Sequence, residues 1–212
     1  MPVLTRLSEE EKFFQEAVKN FAATSIAPKV TTMDESECLD EQVIKECFDM
    51  GLMGIEIPEK YSGAAGSFFM SILAIEELAK VDPSVSVFVD VQNTLVNNIL
   101  LRWGSEEQKQ TFFPRLVSKE VGCFCLTEAD SGSDAFSLIA KASDKGDHWL
   151  LDGKKIFITN ANEASLFLFF ANVNKDLGYK GITAFLLDRD MPGVSLGKKE
   201  TKLGIRASST CE

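Results

Sequence analysis

Two short segments of this chain hold the side chains best placed to do chemistry. Residues 124 to 134 read Phe-Cys-Leu-Thr-Glu-Ala-Asp-Ser-Gly-Ser-Asp, and residues 154 to 160 read Lys-Lys-Ile-Phe-Ile-Thr-Asn. Each has strand character and ends in a threonine, Thr127 in the first and Thr159 in the second. An aromatic precedes each threonine by a few positions, Phe124 and Phe157. An aromatic face and a hydroxyl at a strand end suit a flat polar heterocycle: the ring stacks, while hydroxyls and backbone N–H groups bond its edge. The first segment then passes into Ser131, Gly132 and Ser133, small residues that let a ligand come close to the backbone. The competing reading is two ordinary strands that end in polar turns.

Other candidate sites are weaker. His148 is the only histidine, so any Ser-His or Cys-His chemistry would have to use it. It opens a strand with no nucleophile motif around it, which favours a half-exposed strand position. The segment Tyr61 to Ser67 places Gly63 and Gly66 before a helix but lacks the fingerprint of a phosphate loop, so an entry loop capped by Ser67 is the better reading. Glu76-Glu77 and Glu106-Glu107 are neighbours in sequence and do not share a helical face, which leaves them as solvated surface. Cys123 and Cys125 point to one face of a strand; without a second Cys/His pair they read as buried thiols rather than metal ligands.

Composition narrows the class. Charged residues are 25% and hydrophobic residues 45% of the 212, the balance of an ordinary globular chain. The net charge of −10, with no basic stripe, argues against a nucleic-acid partner. The densest apolar run, Leu166 to Phe170, is far shorter than a membrane span. Five cysteines, an odd count with irregular spacing, suit a reduced intracellular compartment. Met1 to Glu10 has early acids and no apolar core, unlike a targeting segment.

These motifs need elements to hold them. The first half reads as helices. Ser8-Glu9-Glu10-Glu11 is a capping box, followed by Phe13, Phe14, Ala17, Val18 and Phe21 at helical spacing. Asp40 caps a second helix that stops at Gly51. A third runs over 67–81 and a long buried one over 85–103. A second capping box starts a further helix at Ser105, which Pro114 is expected to end or kink. The second half reads as β. Asp152-Gly153 suits a tight turn in a hairpin over 148–159, and further strands are expected over 165–173, 181–188 and 194–198. The fold class is therefore α+β: a helical domain over 1–120, then an antiparallel, barrel-like β domain over 121–212. A β domain that stops at Glu212 would leave an unpaired strand edge, as expected of an incomplete chain or one that needs a partner.

Taken together, F-C-L-T-E-x-x-S-G-S-D and G-K-K-I-F-I-T-N resemble the paired flavin signatures of the acyl-CoA dehydrogenases. The likeness extends over the whole chain and is strongest toward the short/branched-chain branch, through segments such as 51–61, 75–88, 178–193 and 202–210. The resemblance implies an FAD enzyme that oxidises an acyl-CoA to the trans-2-enoyl-CoA and passes electrons to electron-transfer flavoprotein. It also implies a mitochondrial matrix location and a tetrameric full-length form. By position it implies that Phe124, Cys125, Leu126, Thr127, Ser133, Phe157, Ile158 and Thr159 contact FAD, and that Ser133 and Tyr179 face the substrate. Ala129-Asp130 depart from the family's usual turn, and Phe157 stands where tryptophan is commoner, which keeps a stacking face but removes an indole donor. The family's catalytic base is a glutamate in a C-terminal helical bundle beyond residue 212, so no residue here is assigned that role. The alternative function is a truncated, non-catalytic protein that binds FAD or CoA.

Overall fold

In the computed structural model, which describes residues 6 to 212, Ser8 starts the first helix as its sequence requires. Its Oγ accepts from the Glu11 N–H at 3.1 Å, and the Glu11 carboxylate accepts from the Ser8 N–H at 2.7 Å. Helix α1 (Glu9–Phe21) buries Val18 and Phe21. The reading of Met1 to Glu10 lies partly outside the described residues. After α2 (Val30–Ser36), Asp40 caps α3 (Glu41–Asp49) by accepting from the Gln42 and Val43 N–H groups. Gly51 comes next with φ 71°, a backbone state that suits glycine and ends the helix. Ser67 caps α4 (Phe68–Ala79).

The long apolar segment is helical throughout, as α5 (Pro83–Asp90), a π-helical stretch Val91–Asn97, and α6 (Asn98–Trp103). Buried amides on the π-helical stretch reach the loop before α4. Asn93 donates to the Leu52 carbonyl at 2.7 Å and accepts from the Ile55 N–H at 3.0 Å, and Asn97 donates to the Met53 carbonyl at 2.9 Å. Helix α7 (Glu106–Ser118) begins with the second capping box and runs past Pro114 to Ser118 instead of ending there.

The strands are β1 (Val121–Cys125), β2 (Lys141–Asp144), β3 (Trp149–Asp152), β4 (Ile158–Thr159), β5 (Ala164–Asn172), β6 (Ile182–Asp188) and β7 (Thr210–Cys211). Strand β5 organises them. It pairs parallel with β1 and β2 and antiparallel with β6, and β3 pairs with β2; β4 and β7 form a separate antiparallel pair. The expected succession of a helical part and a β part is present. The sheet, however, is mixed rather than purely antiparallel, and the strands close no barrel among the described residues. The physical reason is the connection from β1 to β5, which is long enough to return the chain in the same direction.

Two local expectations change. The hairpin is β2–β3, turning at Gly146 (φ 93°), and not a turn at Asp152-Gly153. Gly153 is required for packing: a Cβ there would stand 2.5 Å from the Cβ of Ala140. Residues 194–198 form no regular strand, although Gly197 donates to the Glu212 carbonyl at 2.7 Å and Glu212 donates back to Lys198 at 3.1 Å.

The chain divides into two compact units. One runs to Lys119 and also takes Lys202–Ser208; the other holds Glu120–Thr201 and Ser209–Glu212. Within the first, Arg206 fixes the returning segment by pairing with Asp34 at 3.2 Å and Glu37 at 2.8 Å. Within the second, Cys123, Cys125, Ile158, Phe167 and Cys211 share one apolar cluster, and Leu138, Ala140, Ala142 and Ala171 share another. Each large side chain buried in this way contributes roughly 1.5–3 kcal/mol.

Candidate functional site

Strand alternation sorts the first segment into two faces. Cys123 and Cys125 point into the core with their sulfurs 3.5 Å apart. Phe124 points the other way and packs on Phe170, ring centroids 5.0 Å apart at 57°. Leu126 is half-buried against the second apolar cluster. At Thr127 the strand meets the second segment, because the Thr127 carbonyl accepts from the Ile156 N–H at 2.9 Å.

The second segment is held in an unusual backbone. Phe157 has φ 58° and Asn160 has φ 67°, so left-handed residues stand on both sides of the two-residue strand β4. In the register of that strand, Ile158 lies opposite Cys211 and Thr159 opposite Thr210. Ile158 is buried, Thr159 is half-buried, and the Phe157 ring is 58% exposed, a large aromatic surface left to solvent. Cys125 and Ile158 are thus core residues, each 4% exposed. A cavity of about 710 Å³ lies on that core side, lined by Cys125, Ile158, Phe167, Phe169, Val194 and Leu196 among others.

Two charged residues to which the motifs assign no role join the segments. Lys155 Nζ lies 2.6 Å from Glu128 Oε1, and both side chains are 4% exposed. The ammonium also donates to the Leu126 carbonyl at 3.0 Å, and the carboxylate accepts from the Ile139 and Ala140 N–H groups at 2.6 and 3.0 Å. Burial pushes the Glu128 carboxyl up, but the lysine bond and the two backbone donors outweigh it and hold the group below its ordinary range. Burial pushes the Lys155 ammonium down. The pair fixes the end of β1, the approach to β4 and the entry to β2 around one point. No spacing rule separates buried Lys155 from its exposed neighbour Lys154, which is why the sequence did not show it.

After Glu128 the chain turns through reciprocal backbone bonds with Ser131 at 3.0 and 3.1 Å, and Ser131 Oγ donates to the Asp134 carbonyl at 2.9 Å. Gly132 and Ser133 are exposed, and a Cβ added to Gly132 would meet nothing within 4 Å. Past this loop Phe136 packs on Tyr179, ring centroids 5.4 Å apart. The loop that carries Ser133 and the loop that carries Tyr179 therefore meet through an aromatic contact. Among the described residues the hydroxyls of Thr127, Ser133 and Thr159 make no hydrogen bond.

The weaker candidates take ordinary roles. His148 is exposed and bonded to Asp147 at 2.7 Å. The glycine-containing loop at 61–67 spends its N–H groups internally: Ala64 donates to Gly54 and Ala65 to Ile57. Among the described residues no cluster of three or more His, Cys, Asp or Glu is placed to hold a metal ion.

Two known domains match the chain. Residues 8–120 match the acyl-CoA dehydrogenase N-terminal domain, and residues 123–212 match the acyl-CoA dehydrogenase middle domain. The chain belongs to the acyl-CoA dehydrogenase family. It is 49% identical over 209 residues to the short/branched chain specific acyl-CoA dehydrogenase, mitochondrial, of Rattus norvegicus, covering 99% of this chain and 48% of that protein. It is 53% identical over 210 residues to a probable short/branched chain specific acyl-CoA dehydrogenase of Dictyostelium discoideum, covering 99% of this chain and 51% of that one. Among solved structures, the butyryl-CoA dehydrogenase of Megasphaera elsdenii superposes with a TM-score of 0.93 at 36% identity, over 97% of this chain and 55% of that one. The chain thus spans about half the length of the relatives it matches.

Proposed function

We propose that this chain forms the FAD- and CoA-facing part of an enzyme that oxidises a short or branched-chain acyl-CoA to the trans-2-enoyl-CoA. The observation that carries the reading is the junction at Thr127 and Ile156, locked by Glu128 and Lys155, which brings the two motif segments into one surface. The residues suit FAD. Three hydroxyls, on Thr127, Ser133 and Thr159, have no hydrogen-bond partner among the described residues, and the exposed Phe157 ring stands two positions from Thr159. That is the donor set and flat wall an isoalloxazine asks for.

When bound, FAD supplies the acceptor for the hydride that leaves Cβ of the acyl group. The chain's own residues bind and orient. Phe157 offers a stacking face and excludes water from it. Thr127 and Thr159 would donate to the ring edge. Ser133, on an open loop beside Gly132, lets the CoA arm pass close to the backbone. The carboxylate that takes the α-proton is by family resemblance a glutamate outside residues 1 to 212, and no glutamate of this chain takes that role. Electron-transfer flavoprotein as the electron acceptor, a homotetramer and the mitochondrial matrix complete the reading, on the strength of the relatives' names and the family resemblance.

The second reading is a non-catalytic FAD- or CoA-binding protein, which the exposed Phe157 ring and the open hydroxyls would serve equally well. One preparation separates the two. The 212-residue chain is purified, its flavin band is recorded, and turnover of a short branched acyl-CoA is assayed with an artificial electron acceptor. Flavin retention without turnover supports the binding role for this chain alone, and turnover sinks it. No flavin and no CoA binding would remove both readings.

A further inference from the structure

We propose that Lys155 is a positioning residue that acts on a bound flavin through the Leu126–Thr127 peptide group, and that its charge favours the reduced, electron-rich ring over the oxidised one; this rests on the flavin reading above. The observation behind it is the way two consecutive residues take hold of Thr127. The Lys155 ammonium donates to the Leu126 carbonyl at 3.0 Å, on the peptide before Thr127. The Ile156 N–H donates to the Thr127 carbonyl at 2.9 Å, on the peptide after it. Both carbonyls that flank the residue are thus occupied. The Thr127 N–H and hydroxyl make no hydrogen bond among the described residues, and the side chain is half-buried.

A peptide group passes polarisation from one end to the other. An ammonium at the carbonyl oxygen draws electron density from the amide nitrogen and makes the N–H a stronger donor. Here that donor is the free N–H of Thr127. The charge behind it is fixed in place: Lys155 Nζ also lies 2.6 Å from Glu128 Oε1 and 5.0 Å from the centre of the Phe169 ring. At 4% exposure the lysine side chain has little water around it to screen its field.

A strengthened donor discriminates between charge states of its acceptor. It gains most when the acceptor atom becomes more negative. A hydride brings two electrons and one proton, so a flavin ring that accepts one gains a negative charge. The Thr127 N–H therefore holds the reduced ring more tightly than the oxidised one, and the difference appears as a higher reduction potential. Stability alone does not account for the pair, because apolar side chains of the same volume commonly serve a core as well as a buried ion pair does.

The test is the two-electron midpoint potential of FAD bound to the full 212-residue chain, with dissociation constants for oxidised and reduced FAD. Wild type is compared with Lys155→Met and with the double variant Lys155→Met, Glu128→Gln, which strands no charge if the single variant fails to fold. Melting temperatures confirm that each variant is folded. The proposal requires the double variant to weaken reduced FAD about tenfold more than oxidised FAD, a fall of about 30 mV in potential. Lys155→Met alone should lower the potential at least as far. Equal weakening of both redox forms, with the potential unmoved, overturns the proposal and leaves the pair as a clamp between the two segments. So does a double variant that holds FAD as wild type does. A wild-type chain that retains no FAD removes the flavin reading itself, and the proposal with it.

Discussion

Lys155 Nζ and Glu128 Oε1 meet at 2.6 Å inside the β unit, where each side chain is 4% exposed. Removing one partner leaves the other charge buried without compensation. Lys155→Met or Glu128→Gln alone should each cost about 3–5 kcal/mol in urea unfolding. The double variant should cost clearly less than the two singles added together, because the stranded charge is gone. Simple additivity would show that the two residues act separately.

The same pair gives the protein an acid sensitivity with a defined sign. Glu128 titrates lower in the folded state than in the unfolded one. Its stabilising contribution is therefore complete above the unfolded carboxyl value of about 4.3 and is lost as pH falls through the lower folded value. The melting-temperature gap between wild type and Glu128→Gln should stay level near neutral pH and close below about pH 4. A gap that does not change on acidification would mean Glu128 is neutral in the folded chain.

Two glycines of the β unit make opposite predictions. At Gly153 an added Cβ would stand 2.5 Å from Ala140 Cβ, whereas at Gly132 it would meet nothing within 4 Å. Gly153→Ala should destabilise by about 1–3 kcal/mol. Gly132→Ala should leave the melting temperature within error. If both are silent, β2 is loose enough to give way, and the packing described around Ala140 is wrong.

Thiol chemistry checks burial independently. Cys38 is exposed and the other four cysteines are buried, with burial pushing the Cys47 thiol up to about 12. Ellman's reagent should count one thiol in the native chain, and mass mapping should place it at Cys38. All five should react in denaturant. Native labelling at Cys123 or Cys125 would mean that the core side of β1 is open to solvent.

The helical half was legible because its signals are local. Capping boxes at Ser8 and Ser105 and N-caps at Asp40 and Ser67 are short-range patterns, and each appears where the residues put it. The β half was legible as strands but not as pairings. Asp152-Gly153 is a good turn dipeptide, yet Gly153 is fixed by Ala140, a contact that no local pattern encodes. Parallel pairing of β1 with β5 likewise depends on where the chain returns after a long excursion. For the site, the motifs picked out two segments that the fold joins at Thr127 and Ile156. They did not say that Ile158 turns inward, that Glu128 and Lys155 join the segments, or that Phe136 meets Tyr179.

Left-handed backbone at Phe157 and Asn160 has a consequence for anyone who selects this protein for heat resistance. Such a conformation costs a bulky residue roughly 1–2 kcal/mol, whereas asparagine visits it readily, so glycine at position 157 is the easy gain in melting temperature. There it deletes the exposed ring. Selection on robustness alone would drift toward Phe157→Gly and discard the flat face offered to a ligand, while selection on ligand retention would keep the strained phenylalanine. Position 157 is where those two pressures pull the sequence in opposite directions.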